Sequence, residues 1–177
     1  MSTITSQNQF KSGYKAKVTL MPVTVINQAI PTEERNLPIQ LTVSGNKSLP
    51  GFEDGEEWDF KTDNPDQEVG EKIVGKFGGI TPLAFEVPYD PVLMKKLVAH
   101  AETKFTVQIV YDDAQLDYIY GINVLGCFLK NPANTGGTGN ADAPKMTITL
   151  QPRGGCKLSE CLEMFRTNRN TLAREDL

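Results

Sequence analysis

The stretch that decides the fold reads Leu83-Ala-Phe-Glu-Val-Pro-Tyr-Asp-Pro-Val-Leu-Met-Lys-Lys-Leu-Val-Ala-His100. Its first part alternates apolar and polar residues, and this period of two predicts a β-strand with one buried face. Asp90 suits the N-cap of a helix, because its carboxylate can accept hydrogen bonds from the free amides of the first turn. Pro91 suits the first helical position, where no amide is needed. The stretch therefore predicts a strand followed by one helix, over about residues 91–102.

Alternating segments on both sides of this unit predict the rest of the sheet. They cover about residues 14–30, 37–43, 104–111, 116–124 and 145–151. One apolar and one polar face per strand is typical of half-buried antiparallel sheets. Pro22 interrupts the first segment, and we expect a bulge or an edge there because proline lacks the ladder amide. The predicted fold is mainly β: a two-sheet antiparallel β-sandwich or barrel with one flanking α-helix.

Three further segments lie outside the alternating strands. Residues 1–13 are polar and predict a flexible N-terminal arm, which precedes a β-sandwich domain over residues 14–153. Residues 44–76 form a long acidic loop, in which acidic side chains outnumber lysines. Residues 154–177 follow the Gly154-Gly155 break as a C-terminal extension. Apolar residues recur there at helical spacing, which predicts an amphipathic helix over about residues 157–174.

Composition argues against several classes of protein. The 177 residues carry a net charge of −4, whereas a dedicated duplex-binding protein usually presents a basic face. No apolar run approaches the roughly 20 residues of a membrane helix. The first residues lack the layout of a signal peptide, so we expect a protein kept in a cytoplasm. Three cysteines without zinc-ligand spacing predict reduced thiols that serve in packing.

No group of residues in the sequence predicts catalysis. His100 is the only histidine, and its position at the edge of the helix's apolar face predicts a structural role. The glycines between Gly136 and Gly139 precede no Gly-Lys-Ser/Thr of a phosphate loop. The acidic loop lacks the ligand order of a calcium loop. We therefore expect no enzyme, metal or cofactor; an enzyme with a metal site in the acidic loop is the least favoured alternative.

Two surfaces remain as candidates for function. The first is the polar face of the strands, with Thr19, Gln40, Thr42, Thr106, Gln108, Asp117, Asn123, Thr147 and Thr149. The second is the acidic loop, which holds the only tryptophan, Trp58, together with Phe52 and Phe60. Aromatic residues in such a loop indicate docking on a partner. The alternative is a solvated loop whose Trp58 folds back on its own core.

The order of these elements resembles the major tail tube proteins of tailed bacteriophages with long, non-contractile tails, whose fold is related to the type VI secretion tube. Residues 85–97 and 118–126 carry most of the resemblance, which covers about residues 14–152. It implies that six copies join sheets edge to edge as a ring. It also implies that rings stack into a hollow tube through which the genome leaves. Tape-measure, tail-tip and tail-terminator proteins are implied partners, in a virion tail assembled in the bacterial cytoplasm without a membrane.

The resemblance also implies roles for particular residues. The N-terminal arm and the acidic loop would bridge subunits and rings, through Phe10, Phe52, Glu53, Asp54, Trp58, Asp59, Phe60, Asp63 and Asp66. The polar strand face is the candidate lining of the lumen, where an acidic protein lets double-stranded DNA pass because like charges repel. The alternative prediction is a monomeric β-sandwich binding module whose acidic loop engages a basic partner.

Overall fold

The structure is a computed structural model that describes eight segments of the chain. They are residues 16–43, 50–53, 57–60, 71–74, 79–130, 132–134, 144–152 and 161–177. For 57–60, 71–74 and 133–134 only the backbone is described.

Eleven strands and one helix make up the described chain. They are β1 (Ala16–Thr24), β2 (Ile39–Leu41), β3 (Glu57–Phe60), β4 (Glu71–Val74), β5 (Leu83–Pro88), α1 (Pro91–Ala99), β6 (Lys104–Tyr111), β7 (Tyr118–Leu129), β8 (Ala133–Asn134), β9 (Lys145–Gln151), β10 (Leu162–Asn168) and β11 (Arg174–Asp176). The pairs are antiparallel. The predicted mainly β fold with a flanking helix is confirmed.

One nine-stranded sheet organises the molecule. Six strands follow the order β11-β10-β7-β6-β1-β2, and β9 pairs with the end of β7 while it also pairs with β5 and β8. Both parts of the sheet send their inner faces into a single core, which includes Val18, Phe85, Val107 and Ile148. Burial of each large apolar side chain there contributes about 1.5–3 kcal/mol. The alternation read from the sequence therefore marks the faces that close on this core.

The register of β1 contains the expected irregularity. Its pairing with β6 shifts between Pro22 and Thr24, at the position where proline removes a ladder amide. The pairing of β6 with β7 shifts as well, between Phe105 and Val107, and Gly126 on β7 has a φ of 68°. The bulge predicted from Pro22 is confirmed, and the second bulge was not predicted.

Helix α1 has the N-terminus that the sequence predicts. Asp90 is extended, and its Oδ1 accepts a hydrogen bond of 2.9 Å from the amide of Val92. Leu97 is fully buried. The helix ends at Ala99, three residues earlier than predicted, and the amide of His100 donates to the carbonyls of Lys96 and Leu97. This helix covers the end of the core between β5 and β6.

The acidic segment 44–76 is not irregular throughout. Strands β3 and β4 form a separate antiparallel pair within it, with Trp58 opposite Ile73. An isolated bridge between Phe52 and Ile80 joins the two chain segments nearer the main sheet. The predicted loop therefore contains a two-stranded ribbon.

The predicted C-terminal helix over 157–174 is wrong for residues 162–174; Cys161 is helical, and residues 157–160 lie outside the described residues. Strand β10 pairs along β7, from Leu162 opposite Val124 to Asn168 opposite Tyr118, and β11 pairs with β10. The apolar spacing fits a helix, but this segment is rich in Asn and Thr, which are weak helix formers. The edge of β7 offers backbone partners to seven successive residues. Sheet pairing therefore overrides the local helical pattern.

Candidate assembly surfaces

Four of the nine predicted polar residues lie in one row across the sheet. Gln40 is opposite Thr19, Thr19 is opposite Gln108, and Gln108 is opposite Asn123. On β10, Glu163 lies opposite Asn123 and extends the row to a fifth strand. We call these five residues the polar row. At about 4.8 Å between neighbouring strands the row spans roughly 19 Å.

Asn123 is the buried member of the polar row. It is 7% exposed, and its Nδ2 donates a hydrogen bond of 3.3 Å to Oε2 of Glu163. Its Oδ1 has no hydrogen-bond donor among the described residues. Because a buried acceptor without a donor costs about 1–3 kcal/mol, this atom favours contact with water or with an approaching donor group. The sequence reading missed Glu163 because it placed that residue in a helix.

The other five predicted polar residues do not join the row. Thr106 lies opposite Met21 on the same face of β6 as Gln108, and Thr42 follows the end of β2. Thr147 and Thr149 lie on β9, where they pair with residues of β5. Asp117 lies in the exposed turn before β7. The single polar face predicted from the sequence is therefore divided among different parts of the fold.

The predicted contact residues are described only in part. Phe52 and Glu53 are exposed, and the amide of Glu53 donates to the carbonyl of Gly79 at 2.9 Å. Trp58, Asp59 and Phe60 belong to β3, of which only the backbone is described. The remaining contact residues, Phe10, Asp54, Asp63 and Asp66, lie outside the described residues.

An aromatic contact holds the C-terminal hairpin on the sheet. Phe165 pairs with Gly121 and lies so close that a Cβ at Gly121 would be 2.1 Å from the ring. The guanidinium of Arg174 lies 4.1 Å from the centroid of the same ring. Arg166 donates to Glu175 at 2.6 Å and lies 4.3 Å from the ring centroid of Tyr118. These contacts were not predicted, although a glycine at the centre of a long strand is a sequence signal of close approach.

A groove of about 860 Å³ lies beside α1, at the end of the sheet where β1 ends and β6 begins. Its walls come from β2, from residues 27–38, from the end of β5 and from α1. The apolar lining includes Ile30, Leu37, Pro88 and Leu93. A hydrogen bond joins the wall formed by residues 27–38 to the wall formed by α1: Nδ2 of Asn27 donates to the carbonyl of Ala99 at 2.9 Å.

His100 forms part of the groove wall and has structural contacts. It is 6% exposed, its Nδ1 lies 3.4 Å from Oγ1 of Thr103, and its ring meets the Phe105 ring edge-on at 5.6 Å between centroids. Burial lowers the pKa of His100 below its ordinary value, because the charged imidazolium loses hydration. The predicted structural role of this residue is confirmed.

The two described cysteines are buried. Cys127 and Cys161 are reduced thiols, as predicted, and Cys156 lies outside the described residues. Burial, and to a smaller extent the neighbouring Cys161, raises the pKa of Cys127 to about 12. A thiol with this pKa stays protonated at neutral pH, so it is a poor nucleophile.

The described residues contain no group of three His, Cys, Asp or Glu side chains placed to hold a metal ion. No helix in the described part of the chain is long and apolar enough to cross a membrane.

Comparisons with known proteins give similarity in fold only. No protein family and no curated protein matches the sequence. A chain of the anti-feeding prophage baseplate superposes with a TM-score of 0.56 at 12% identity, covering 96% of this chain and 99% of that one. A chain of the anti-feeding prophage tube-terminating cap gives a TM-score of 0.53 at 14% identity, covering 92% and 95%. The Hcp1 protein of E. coli EAEC 042 covers 92% and 97% at 11% identity, but its TM-score of 0.39 is too low to support a conclusion.

Proposed function

We propose that this chain is a structural subunit that assembles with copies of itself into a hollow tail tube. The observation that carries the proposal is the near full-length similarity in fold to chains of two anti-feeding prophage assemblies, one of them a tube-terminating cap. An enzymatic role has no support from the described residues.

The polar row supports the same proposal. A face that packed against apolar side chains of another protein would itself be apolar. This row instead holds amide, hydroxyl and carboxylate groups on five neighbouring strands. In our proposal it lines a water-filled lumen. A chain with net charge −4 does not retain double-stranded DNA on such a wall, so passage of the genome is transient.

The outermost strands suit a subunit that joins its neighbours only on assembly. Strands β2 and β11 each have three residues, and β11 carries the charged residues Arg174, Glu175 and Asp176, all exposed. Short and charged edges oppose uncontrolled pairing of free subunits. We propose that six copies close into a ring and that rings stack, in a phage tail of the non-contractile type. Tape-measure, tail-tip and terminator proteins are the proposed further partners.

Electron microscopy of the concentrated protein at several salt concentrations tests this proposal. We expect six-fold rings or hollow tubes, and sedimentation should show mass above the monomer's 19.5 kDa. A protein that stays monomeric under all conditions and also fails to join preformed tubes would contradict the proposal. If that monomer instead bound a basic partner and lost binding on removal of residues 48–70, it would be a binding module.

The acidic segment offers a separate test. We expect Trp58→Ala to leave the melting temperature of the monomer within about 2 °C, because in our proposal its side chain contacts a neighbouring copy and not the core of its own subunit. The same change should weaken association between rings. A lower melting temperature with unchanged association would instead assign Trp58 to the core of its own subunit.

A further inference from the structure

Leu172 has a conformation and an exposure that folding of the single chain does not explain. It is 76% exposed, in the turn between β10 and β11. Its φ is 58°, in the left-handed region where glycine or asparagine is the usual residue. A leucine at such a position strains the backbone, and its exposed side chain recovers little by burial. A contact with another molecule would account for a large apolar side chain there.

The turn that carries Leu172 is held in place by hydrogen bonds. Oδ1 of Asn168 accepts from the amides of Asn170 and Thr171 at 2.9 and 3.1 Å. The amide of Leu172 donates to the carbonyl of Asn168 at 2.8 Å. The side chain is therefore presented by a turn whose shape is set before any contact forms.

Arg169 fastens the same turn to the neighbouring one. Its Nη2 donates to Oδ1 of Asp112 at 2.6 Å and to the carbonyl of Asp113 at 2.8 Å, and its Nε donates to the carbonyl of Leu116 at 3.1 Å. The two turns thus form one rigid end of the molecule. We call residues 168–173 the leucine turn.

The leucine turn and the groove lie on opposite sides of the main path of strands. The leucine turn follows β10. The groove is lined at the other side by Gln40 and Thr42 of the β2 segment, together with Asn27 and His100. Four strand spacings of about 4.8 Å, roughly 19 Å along the sheet, separate β10 from β2. A copy cannot place its leucine turn in its own groove, but a second copy stacked head to tail can.

The two ends are also complementary in charge. Asp117 is exposed beside the leucine turn, where its carbonyl accepts from the amide of Arg169 at 3.0 Å. Lys95 and Lys96 are exposed on α1 at the rim of the groove. The groove is also lined by two carboxylates, Glu34 and Asp90, and the second of these caps α1. The approach of Asp117 is therefore favoured on the helix side of the groove, where the lysines lie.

We propose that the leucine turn of one copy docks into the α1 groove of the next, with Leu172 between the apolar walls and Asp117 against Lys95 and Lys96. The groove is several times larger than a leucine side chain, so it accepts the tip of the turn as a whole. The inference rests on the proposed function, because it identifies one of the contacts that stack one ring on the next.

The first test compares assembly of Leu172→Asp, Leu172→Gly and the wild type. Both variants should raise the protein concentration needed for tube formation at least tenfold and leave single rings or monomers. Gly tolerates a φ of 58°, so Leu172→Gly should fold at least as stably as the wild type while it lacks the docking side chain. The matched control is Val98→Asp, which changes an exposed apolar residue of α1 outside the groove lining and should form tubes normally.

The second test exchanges charges. Asp117→Lys should weaken tube formation, and combination with Lys95→Glu and Lys96→Glu in the same chain should restore at least part of it. If both Leu172 variants form tubes at the same protein concentration as the wild type, the docking contact is wrong and the proposed function still stands. A wild type that forms no rings or tubes under any condition and also fails to join preformed tubes would overturn both.

Discussion

Residues 91–99 and 162–168 both carry apolar residues at helical spacing, and only the first of these two described segments is a helix. In α1, Asp90 caps the first amides, Pro91 follows, and Leu97 is buried in the core. Residues 162–168 instead pair with the open side of β7. The difference shows that helical periodicity does not produce a helix where a sheet edge competes for the backbone.

The largest effect should come from the core that both segments share. Phe85 is fully buried on β5, immediately before α1. We expect Phe85→Ala to lower the free energy of unfolding by about 3–5 kcal/mol, because it removes buried apolar contacts and leaves a cavity. Urea denaturation followed by circular dichroism measures this. A loss below about 1 kcal/mol would mean that β5 does not pack as described.

The anchor of the C-terminal hairpin should give the next largest effect. Gly121→Ala places a methyl group 2.1 Å from the Phe165 ring and forces the ring away. We expect a loss of about 1–3 kcal/mol, as for other overpacked sites. Amide hydrogen exchange should show lost protection in residues 162–168 with α1 unchanged.

A double-mutant cycle isolates this contact. In a Phe165→Ala background the methyl group meets no ring, so Gly121→Ala should cost less than about 0.5 kcal/mol. An equal cost in both backgrounds would show that the glycine is needed for its backbone conformation instead. In that case the contact of Phe165 with Gly121 would not be what holds the C-terminal hairpin on the sheet.

The helix cap should have a smaller effect. Asp90→Ala removes the acceptor for the amide of Val92, and loss of an N-cap typically costs about 1 kcal/mol. Asp90→Asn is the matched control, because asparagine retains the accepting oxygen and should cost only a few tenths. If both variants were as stable as the wild type, the cap would not explain why residues 91–99 form a helix while residues 162–168 form a strand.

His100, at the end of α1, should give a modest dependence of stability on pH. Burial lowers its pKa in the folded state, so between the folded pKa and the ordinary value of about 6.5 the unfolded chain binds more protons. Stability should therefore be complete above about pH 6.5 and decrease as the pH falls through that value. His100→Gln should remove this part of the slope in urea titrations between pH 7.5 and 5. If the slope of unfolding free energy against pH were unchanged in His100→Gln, carboxylates and not His100 would be its cause.

Much of the sheet follows from alternation in the sequence. Strands β1, β5, β6, β7 and β9 overlap the segments where period two predicts them, because one face of each must be buried. The predicted bounds are wrong at two ends, since β1 stops at Thr24 and not near residue 30, and β7 continues past residue 124 to Leu129. The bulge near Pro22 follows from one missing amide. The extra bulge near Gly126 and the ribbon of β3 and β4 depend on pairing between distant residues, so the local pattern does not reveal them.

The candidate surfaces were harder to predict than the strands. Alternation assigned Thr19, Gln108 and Asn123 to polar faces, but only strand register shows that they are neighbours. The same pattern grouped Thr147 with them, although β9 carries it next to β5. The leucine turn had no signal at all, because a left-handed conformation at a leucine is not encoded in residue type.

The sequence by itself determined the mainly β class, the capped helix after Asp90 and the burial of His100. These features depend on neighbours along the chain, whose chemistry can be read directly. Only the tertiary structure decided the fate of residues 162–168 and the joining of Asn123 with Glu163. The tertiary structure also places the leucine turn and the groove on opposite sides of the sheet. These features arise because the topology brings a distant segment to an unpaired strand edge. The backbone hydrogen bonds that form there outweigh the local conformational preference of that segment.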